Sequence, residues 1–329
     1  MEISNLGARV VVIGGGTGSF TILTGLKNYV SDITALVSMA DDGGSTGVLR
    51  DEYGVLPAGD IRQCLVALSH SPRVRDLFNY RFENGTLDGH SFGNLFLTAL
   101  EKMTGNFSAG VELASEILQV TGKVEPITLD QVTLCMKDGA RTVRHERNID
   151  DKEFHDIKPE LWLDPRPKAN PAALRAIKNA DLVVIAPGSL YTSLGAALVV
   201  PGIGQALATT RAKTVYICNL MNKPGQTDGF TVGDYADELE RLAGAKFLDF
   251  VVYNNHQPHA DLLKRYAADR ELPVEYHAPI KRLHYQIKAA DLLARNVWRG
   301  GNRSDRVRRT LIRHDPDRVA RQTMKIFFS

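Results

Sequence analysis

At 329 residues, with 43% hydrophobic and 24% charged residues, the chain has the make-up of an ordinary globular protein. No run approaches the roughly eighteen apolar residues of a membrane span, and "MEISNLGAR" lacks the features of a cleavable signal, which points to the cytoplasm. The net charge of +2 conceals an asymmetry, because Arg295 to Lys325 holds ten Lys or Arg against three Asp. This basic segment, 295–329, is either the contact for an anionic partner or a solvated, partly frayed tail. Cys64, Cys135 and Cys218 are widely separated and odd in number. They read as small buried residues, not as a disulfide framework or a zinc site.

In chain order, "ARVVVIGGG" (8–16) predicts a strand and "SFTILTGLKNY" (19–29) the helix after it. Further strands are expected in "DITALVSMADD" (32–42), "DLVVIAPGS" (181–189), "KTVYICNLM" (213–221) and "FLDFVVYNN" (247–255). Val/Ile runs without polar alternation belong to strands buried on both faces, hence to a parallel sheet covered by helices. "PAALRAIKNA" and "VGDYADELERLAG" have the helical period of crossovers. The pattern is a doubly wound, Rossmann-like α/β fold in a single domain, 1–329. Residues 124–170 break the alternation: two strands flank the turn signal "KDG", then comes the proline-punctuated "LWLDPRPKANP". They are read as a small β-rich insertion.

In such sheets ligands bind beyond the C-terminal strand ends, so the loops there carry the chemistry. The first is Gly14-Gly15-Gly16-Thr17-Gly18-Ser19. Its glycines let backbone N–H groups approach a phosphate at a helix N-terminus, and its hydroxyls add donors. No Lys-Ser/Thr follows at Walker spacing, and Ser19 or Thr21 replaces the third glycine of a dinucleotide fingerprint. The second loop runs Asp41-Asp42-Gly43-Gly44-Ser45. Two adjacent acids there either hold Mg²⁺ beside a diphosphate, bond ribose or sugar hydroxyls, or cap a turn. In "GVLPAGDIRQCLVALS", Asp60 stands at an N-cap position and is also a ligand-binding candidate, and Arg62, one turn in, is expected to face a phosphate.

Gly93-Asn94 and Gly188-Ser189, the latter followed by Thr192 and Ser193, repeat the glycine–polar–helix device. Asn219, Asn222, Asn254 and Asn255 end later strands with both donors and acceptors, as uracil or sugar hydroxyls require. His256 and His259 have i, i+3 spacing, but no carboxylate or cysteine completes a zinc site. There is no G-x-S-x-G elbow and no H-E-x-x-H. Any catalysis is therefore expected to be phosphoryl or phosphodiester transfer by positioning and charge neutralisation.

The blocks "GGGTGSF", "SMADDGGSTGVLRDEYGVLPAGDIRQCLVALS", "HSFGNLFLTAL", "APGSLYTSL" and "PGQTDGFT", with "IRHD" near the end, resemble the YvcK family. These are the so-called gluconeogenesis factors of the wider CofD-like superfamily. The resemblance implies a Rossmann-like fold and cytoplasmic proteins that bind UDP-sugars, notably UDP-N-acetylglucosamine. It implies a part in cell shape and envelope synthesis during gluconeogenic growth, without an assigned reaction. The superfamily's enzymes transfer a 2-phospholactyl-type group from a nucleotide diphosphate donor with Mg²⁺, which is the alternative reading.

Carried over, the resemblance sets Gly14 to Ser19 against the ligand. Asp41 and Asp42 lie beside it, Asn94 and Ser189 across the crevice, and Tyr266 and Arg313 clamp the nucleotide. Mg²⁺ on Asp41 and Asp42, a homo-oligomer and cell-envelope regulatory proteins are further expectations; a nucleic-acid partner is not. Ala58 departs from the expected second proline. Asn222-Lys223 and Gln226 replace Thr-Gln and Glu, which bears on sugar selectivity.

Overall fold

The apolar run that opens the chain becomes a strand with alternate side chains in two separate cores. Val10 and Val12 enter one, Val11 and Ile13 the other. The computed structural model describes residues 6–154, 158–278, 282–295 and 311–329. β1 (Leu6–Ile13) leads through α1 (Gly16–Leu26) to β2 (Val30–Val37). Then come α2 (Gly44–Tyr53), α3 (Gly59–Leu68), α4 (Pro72–Asn79), α5 (Phe92–Thr104), α6 (Phe107–Leu118) and β3 (Lys123–Pro126). The excursion that follows holds β4 (Thr133–Asp138), β5 (Arg141–Arg144), α7 (Glu146–Asp150) and β6 (Glu160–Asp164). α8 (Pro171–Asn179) returns the chain to β7 (Leu182–Ile185), a π-helical turn (Leu190–Gly195), α9 (Ala196–Leu198) and α10 (Ile203–Thr209). β8 (Lys213–Ile217), α11 (Val232–Ala243), β9 (Phe250–Asn254), α12 (Ala260–Ala268), β10 (Gln286–Ala290) and α13 (Pro316–Phe328) complete the order.

Among the described residues, the main sheet is seven-stranded and parallel throughout, in the order β10-β9-β8-β7-β1-β2-β3. The chain moves outward from β1 to β3 on one side and from β7 to β10 on the other, so the winding reverses between β1 and β7. Val10 pairs with Leu182 and Ile13 with Ile185, so the two strands end level and their following loops face each other. α1, α3, α5, α6 and α13 cover one face; the π-turn, α8, α10 and α11 cover the other with the small sheet. Each fully buried aliphatic side chain contributes about 1.5–3 kcal/mol, so the two cores hold the crevice walls rigidly. No single helix among the described residues is long and apolar enough to cross a membrane.

The predicted doubly wound sheet is present, with three differences in detail. Residues 124–126 lie in β3, paired in parallel with β2, so they extend the main sheet and not the insertion. The predicted hairpin is β4–β5, and part of "LWLDPRPKANP" is the strand β6, which makes the small antiparallel sheet β5-β4-β6. β10, "QIKAA", carries no apolar run because it is an edge strand, partly exposed along its length. At the C-terminus, residues 316–328 are a helix with Val319, Ala320, Met324 and Ile326 in the core, not a frayed tail. The basic stretch 296–310 lies outside the described residues.

Candidate functional site: a carboxylate-lined crevice at the strand switch

The Gly14 N–H donates to the Leu36 carbonyl at 3.1 Å and the Ala186 N–H to the Ile13 carbonyl at 2.9 Å, which ties three strand ends together. Gly16 has φ +57°, a conformation that favours glycine. A Cβ on Gly18 would stand 1.6 Å from the Pro187 carbonyl oxygen, so only hydrogen lets α1 pack on the loop after β7. Thr17 is exposed on the first turn of α1. Ser19 is buried, and its Oγ has no hydrogen-bond partner.

The floor of the crevice is acidic. Ser38, Asp41, Asp60, Glu146, Thr192 and Ser193 line a cavity of about 120 Å³. Asp41 Oδ1 accepts from the Gly43 N–H at 2.9 Å. Burial and the neighbouring Asp42 charge raise its pKa. Asp60 does not cap α3, whose N-cap position is Ala58; the acid lies one step inside the helix. Its carboxylate reaches under Gly15, where a Cβ would be 2.0 Å from Oδ2, and accepts the Gly16 N–H. Burial, reinforced by Asp41, pushes Asp60 up to about 7. Burial, with Asp41 and Asp150 nearby, pushes Glu146 up to about 8. Glu146 is therefore mostly protonated at neutral pH, while Asp60 divides between its two forms.

Asp42 turns away from this floor. Its Oδ2 accepts from His145 Nδ1 at 2.9 Å and the Glu146 N–H at 3.2 Å, and its Oδ1 accepts the Arg147 N–H at 3.1 Å. The expectation of Asp41 and Asp42 as paired metal ligands therefore meets a geometry in which Asp42 anchors the first turn of α7. Among the described residues, no three His, Cys, Asp or Glu side chains are grouped to hold a metal ion.

The far end of α7 is anchored as well. Asp150 Oδ1 accepts from Ser189 Oγ at 3.2 Å and Thr192 Oγ1 at 2.9 Å and pairs with Lys223 Nζ at 2.5 Å. Gln226 Nε2 donates to the carbonyls of Ile149, Asp150 and Lys152 at 2.9–3.1 Å. Lys223 and Gln226 thus fasten the segment that delivers Glu146. Glu146 and Asp150 escape sequence reading because α7 is five residues long and has no apolar period.

Other expected ligand residues serve the walls. Arg62 does not face a phosphate: Nε donates to Asn94 Oδ1 at 3.0 Å and Nη1 to Asn79 Oδ1 at 2.6 Å, inside the protein. Asn94 is buried, and its Nδ2 donates to Ser45 Oγ and Thr46 Oγ1, each at 3.4 Å. Gly44, at φ +48°, is exposed at the start of α2. Asn219 is bonded both ways to the backbone of Gly188, at 3.2 and 2.8 Å, and so shapes that loop. Asn222 Nδ2 donates to the Phe230 carbonyl at 3.0 Å. Asn254 bridges the His256 carbonyl and the Leu292 N–H, and the Asn255 N–H donates to Ala290. His259 caps α12, and His256 is exposed.

Tyr266 is buried and its hydroxyl accepts the Leu311 and Ile312 N–H groups at 2.6 and 3.2 Å, which pins the C-terminal segment. The Arg313 carbonyl accepts from Ala294, and His314 Nε2 donates to the Cys218 carbonyl at 3.1 Å, at the end of β8. The structure therefore gathers Gly14–Ser19, Asp41, Asp60, Gly188 and Ser189 at one crevice. Asn222, Asn254 and Tyr266 act through backbone contacts around its β8–β9 side.

Residues 10–293 match the sequence model of the family described as 2-phospho-L-lactate transferase CofD. The chain is 41% identical over 273 residues to the gluconeogenesis factor of Bacillus subtilis, covering 82% of this chain and 85% of that one. It is 43% identical over 272 residues to the gluconeogenesis factor of Halalkalibacterium halodurans, covering 81% and 83%. A crystal structure of a UPF0052-family protein from Bacillus halodurans superposes with a TM-score of 0.87 at 35% identity, covering 97% of this chain and 99% of that one.

Proposed function

This chain belongs to the CofD family, and on that premise we propose that it is a cytoplasmic regulatory protein that binds UDP-N-acetylglucosamine. The supporting observation is the crevice at the β1/β7 reversal, where a glycine-rich backbone from one side faces Gly188 and Ser189 from the other. A diphosphate fits the N-terminus of α1, where the first-turn N–H groups and the helix dipole favour negative charge. Three ionised carboxylates would repel such a ligand. The proton that Glu146 retains at neutral pH, with the partly protonated Asp60, lowers that repulsion and offers a donor to phosphate or sugar oxygens. Arg313 is assigned to the nucleotide end, where a guanidinium bonds a diphosphate bidentately. Mg²⁺ bound with the ligand would sit on Asp41 and Asp60 in their ionised forms, displacing the Asp60 proton, and would complete its shell from phosphate and water. In the cell the protein would support envelope synthesis and cell shape during gluconeogenic growth.

Thermal unfolding against UDP-N-acetylglucosamine, UDP-glucose, UDP, GDP, NAD and NADP, with and without Mg²⁺, tests this reading. A ligand at about a hundred times its Kd adds about 2.7 kcal/mol of stability. UDP-sugars are expected to raise Tm; a response confined to NAD or NADP would refute the assignment. Arg313→Ala is expected to weaken UDP-sugar binding, and equal affinity in the variant would remove Arg313 from the site. The second reading, a Mg²⁺-dependent transferase using a nucleotide diphosphate donor, is favoured by the three carboxyls on one small cavity. Steady release of UDP from UDP-N-acetylglucosamine and Mg²⁺ would select it over a pure sensor.

A further inference from the structure

Beside the carboxylate floor, the loop into α2 places a serine hydroxyl against an imidazole. Ser45 Oγ and His90 Nδ1 are 3.0 Å apart, although 45 residues separate them in sequence. Neither side chain is sealed off, since both are half-buried. The direction of the bond follows from its neighbours. Arg62 has only N–H donors, so Asn94 must turn Oδ1 toward Arg62 Nε and Nδ2 toward Ser45 Oγ. Ser45 Oγ accepts from that amide and keeps its own proton, which it can donate to His90 Nδ1. In the tautomer with a bare Nδ1, the imidazole stands in the position of a general base toward Ser45.

The surroundings suit attack by this oxygen. Gly43 and Gly44 precede it and add no side chains of their own beside it. Thr46, the next residue, bonds Asp41 on the cavity floor, so Ser45 lies one residue from a side chain that touches the crevice. The alternation of strands and glycine loops gives no hint of the pair, because His90 arrives on the loop between α4 and α5.

We propose that Ser45 is a nucleophile activated by His90 and directed at a diphosphate ester held by the glycine loops. The diphosphate rests on the ligand class proposed above; the activated serine does not. In the step, Ser45 Oγ bonds to one phosphorus and the P–O bond to the bridging oxygen breaks. The departing phosphate ester carries the electron pair, and the serine proton passes to His90 Nδ1. Water then cleaves the seryl ester and the proton returns.

The test uses the whole chain, with no nucleotide, and a fluorophosphonate probe. The Ser45 Oγ–P bond would form, the P–F bond would break with loss of fluoride, and His90 would take the proton. Peptide mass spectrometry is expected to find the adduct on Ser45 in preference to the other serines. Ser45→Ala should remove it, and His90→Gln should slow it about a hundredfold, the scale of a general base. An unmodified Ser45, or an equal rate in His90→Gln, would reduce the contact to a structural tie and overturn the proposal. Should His90→Gln fail to fold, the wild-type adduct map alone decides between these outcomes. Because no UDP-sugar enters the assay, its failure would leave the binding experiment above standing.

Discussion

Asp60 gives up its preferred ionisation state to sit under Gly15. An unfolded aspartate titrates near 3.9, whereas Asp60 in the fold titrates at about 7. Between those values the folded chain holds a proton that the unfolded chain lacks, so stability falls as pH rises from about 4 to 7. Glu146 extends the same trend to about 8. His314 acts in the opposite direction: burial lowers it to about 4, so its contribution is complete above about 6.5 and is lost as pH falls through 4. Asp60→Asn is therefore expected to raise Tm at about pH 8 and to change it little at about pH 4. Thermal melts of both proteins at the two pH values decide this; an equal change at both would contradict it. The acid itself was legible as a helix-start signal and a ligand-side candidate, but its place under Gly15 and its raised titration were not. Which way a carboxylate points depends on Gly15, some 45 residues away, and on no local pattern.

At the scale of elements, two junctions shape the crevice. Gly18 lets α1 touch the Pro187 carbonyl, and Gly18→Ala forces that contact apart. Overpacking of this kind costs about 1–3 kcal/mol, and a matching fall in the urea midpoint is expected. An unchanged midpoint would mean the two loops are not in contact. Asp42 holds α7 through three acceptor contacts from a side chain only 4% exposed. Asp42→Ala is expected to cost about 1.5–3 kcal/mol, the scale of hydrogen bonds to a charged group. It should also speed amide exchange across residues 145–151; unchanged exchange there would show that α7 is held by its C-terminal end alone. The long strands and the crossovers α8 and α11 were readable because their apolar periods are regular. α7, β6 and β10 were not, being short or exposed elements fixed by tertiary contacts.

For the whole molecule, the reversal of winding between β1 and β7 does most to define function. It sets two glycine-bearing loops level with one another and leaves a polar gap between them. The sequence blocks identify the loops, and the sheet order explains why they converge although some 170 residues separate them. The C-terminal helix closes the fold back on its start. Tyr29 Oη donates to Asp317 at 2.8 Å, and Tyr266 holds the stretch leading into that helix. Tyr266→Phe strips two backbone donors of their acceptor and is expected to cost about 1–3 kcal/mol. Faster exchange at residues 311–315 would accompany that loss, and native-like exchange there would contradict it. The central claim, that a UDP-sugar lies across the strand switch, is tested most directly by amide hydrogen exchange with and without saturating UDP-N-acetylglucosamine. Slower exchange in residues 14–19 and 188–193 is the predicted result; protection absent from both loops, or confined to another face, would contradict it.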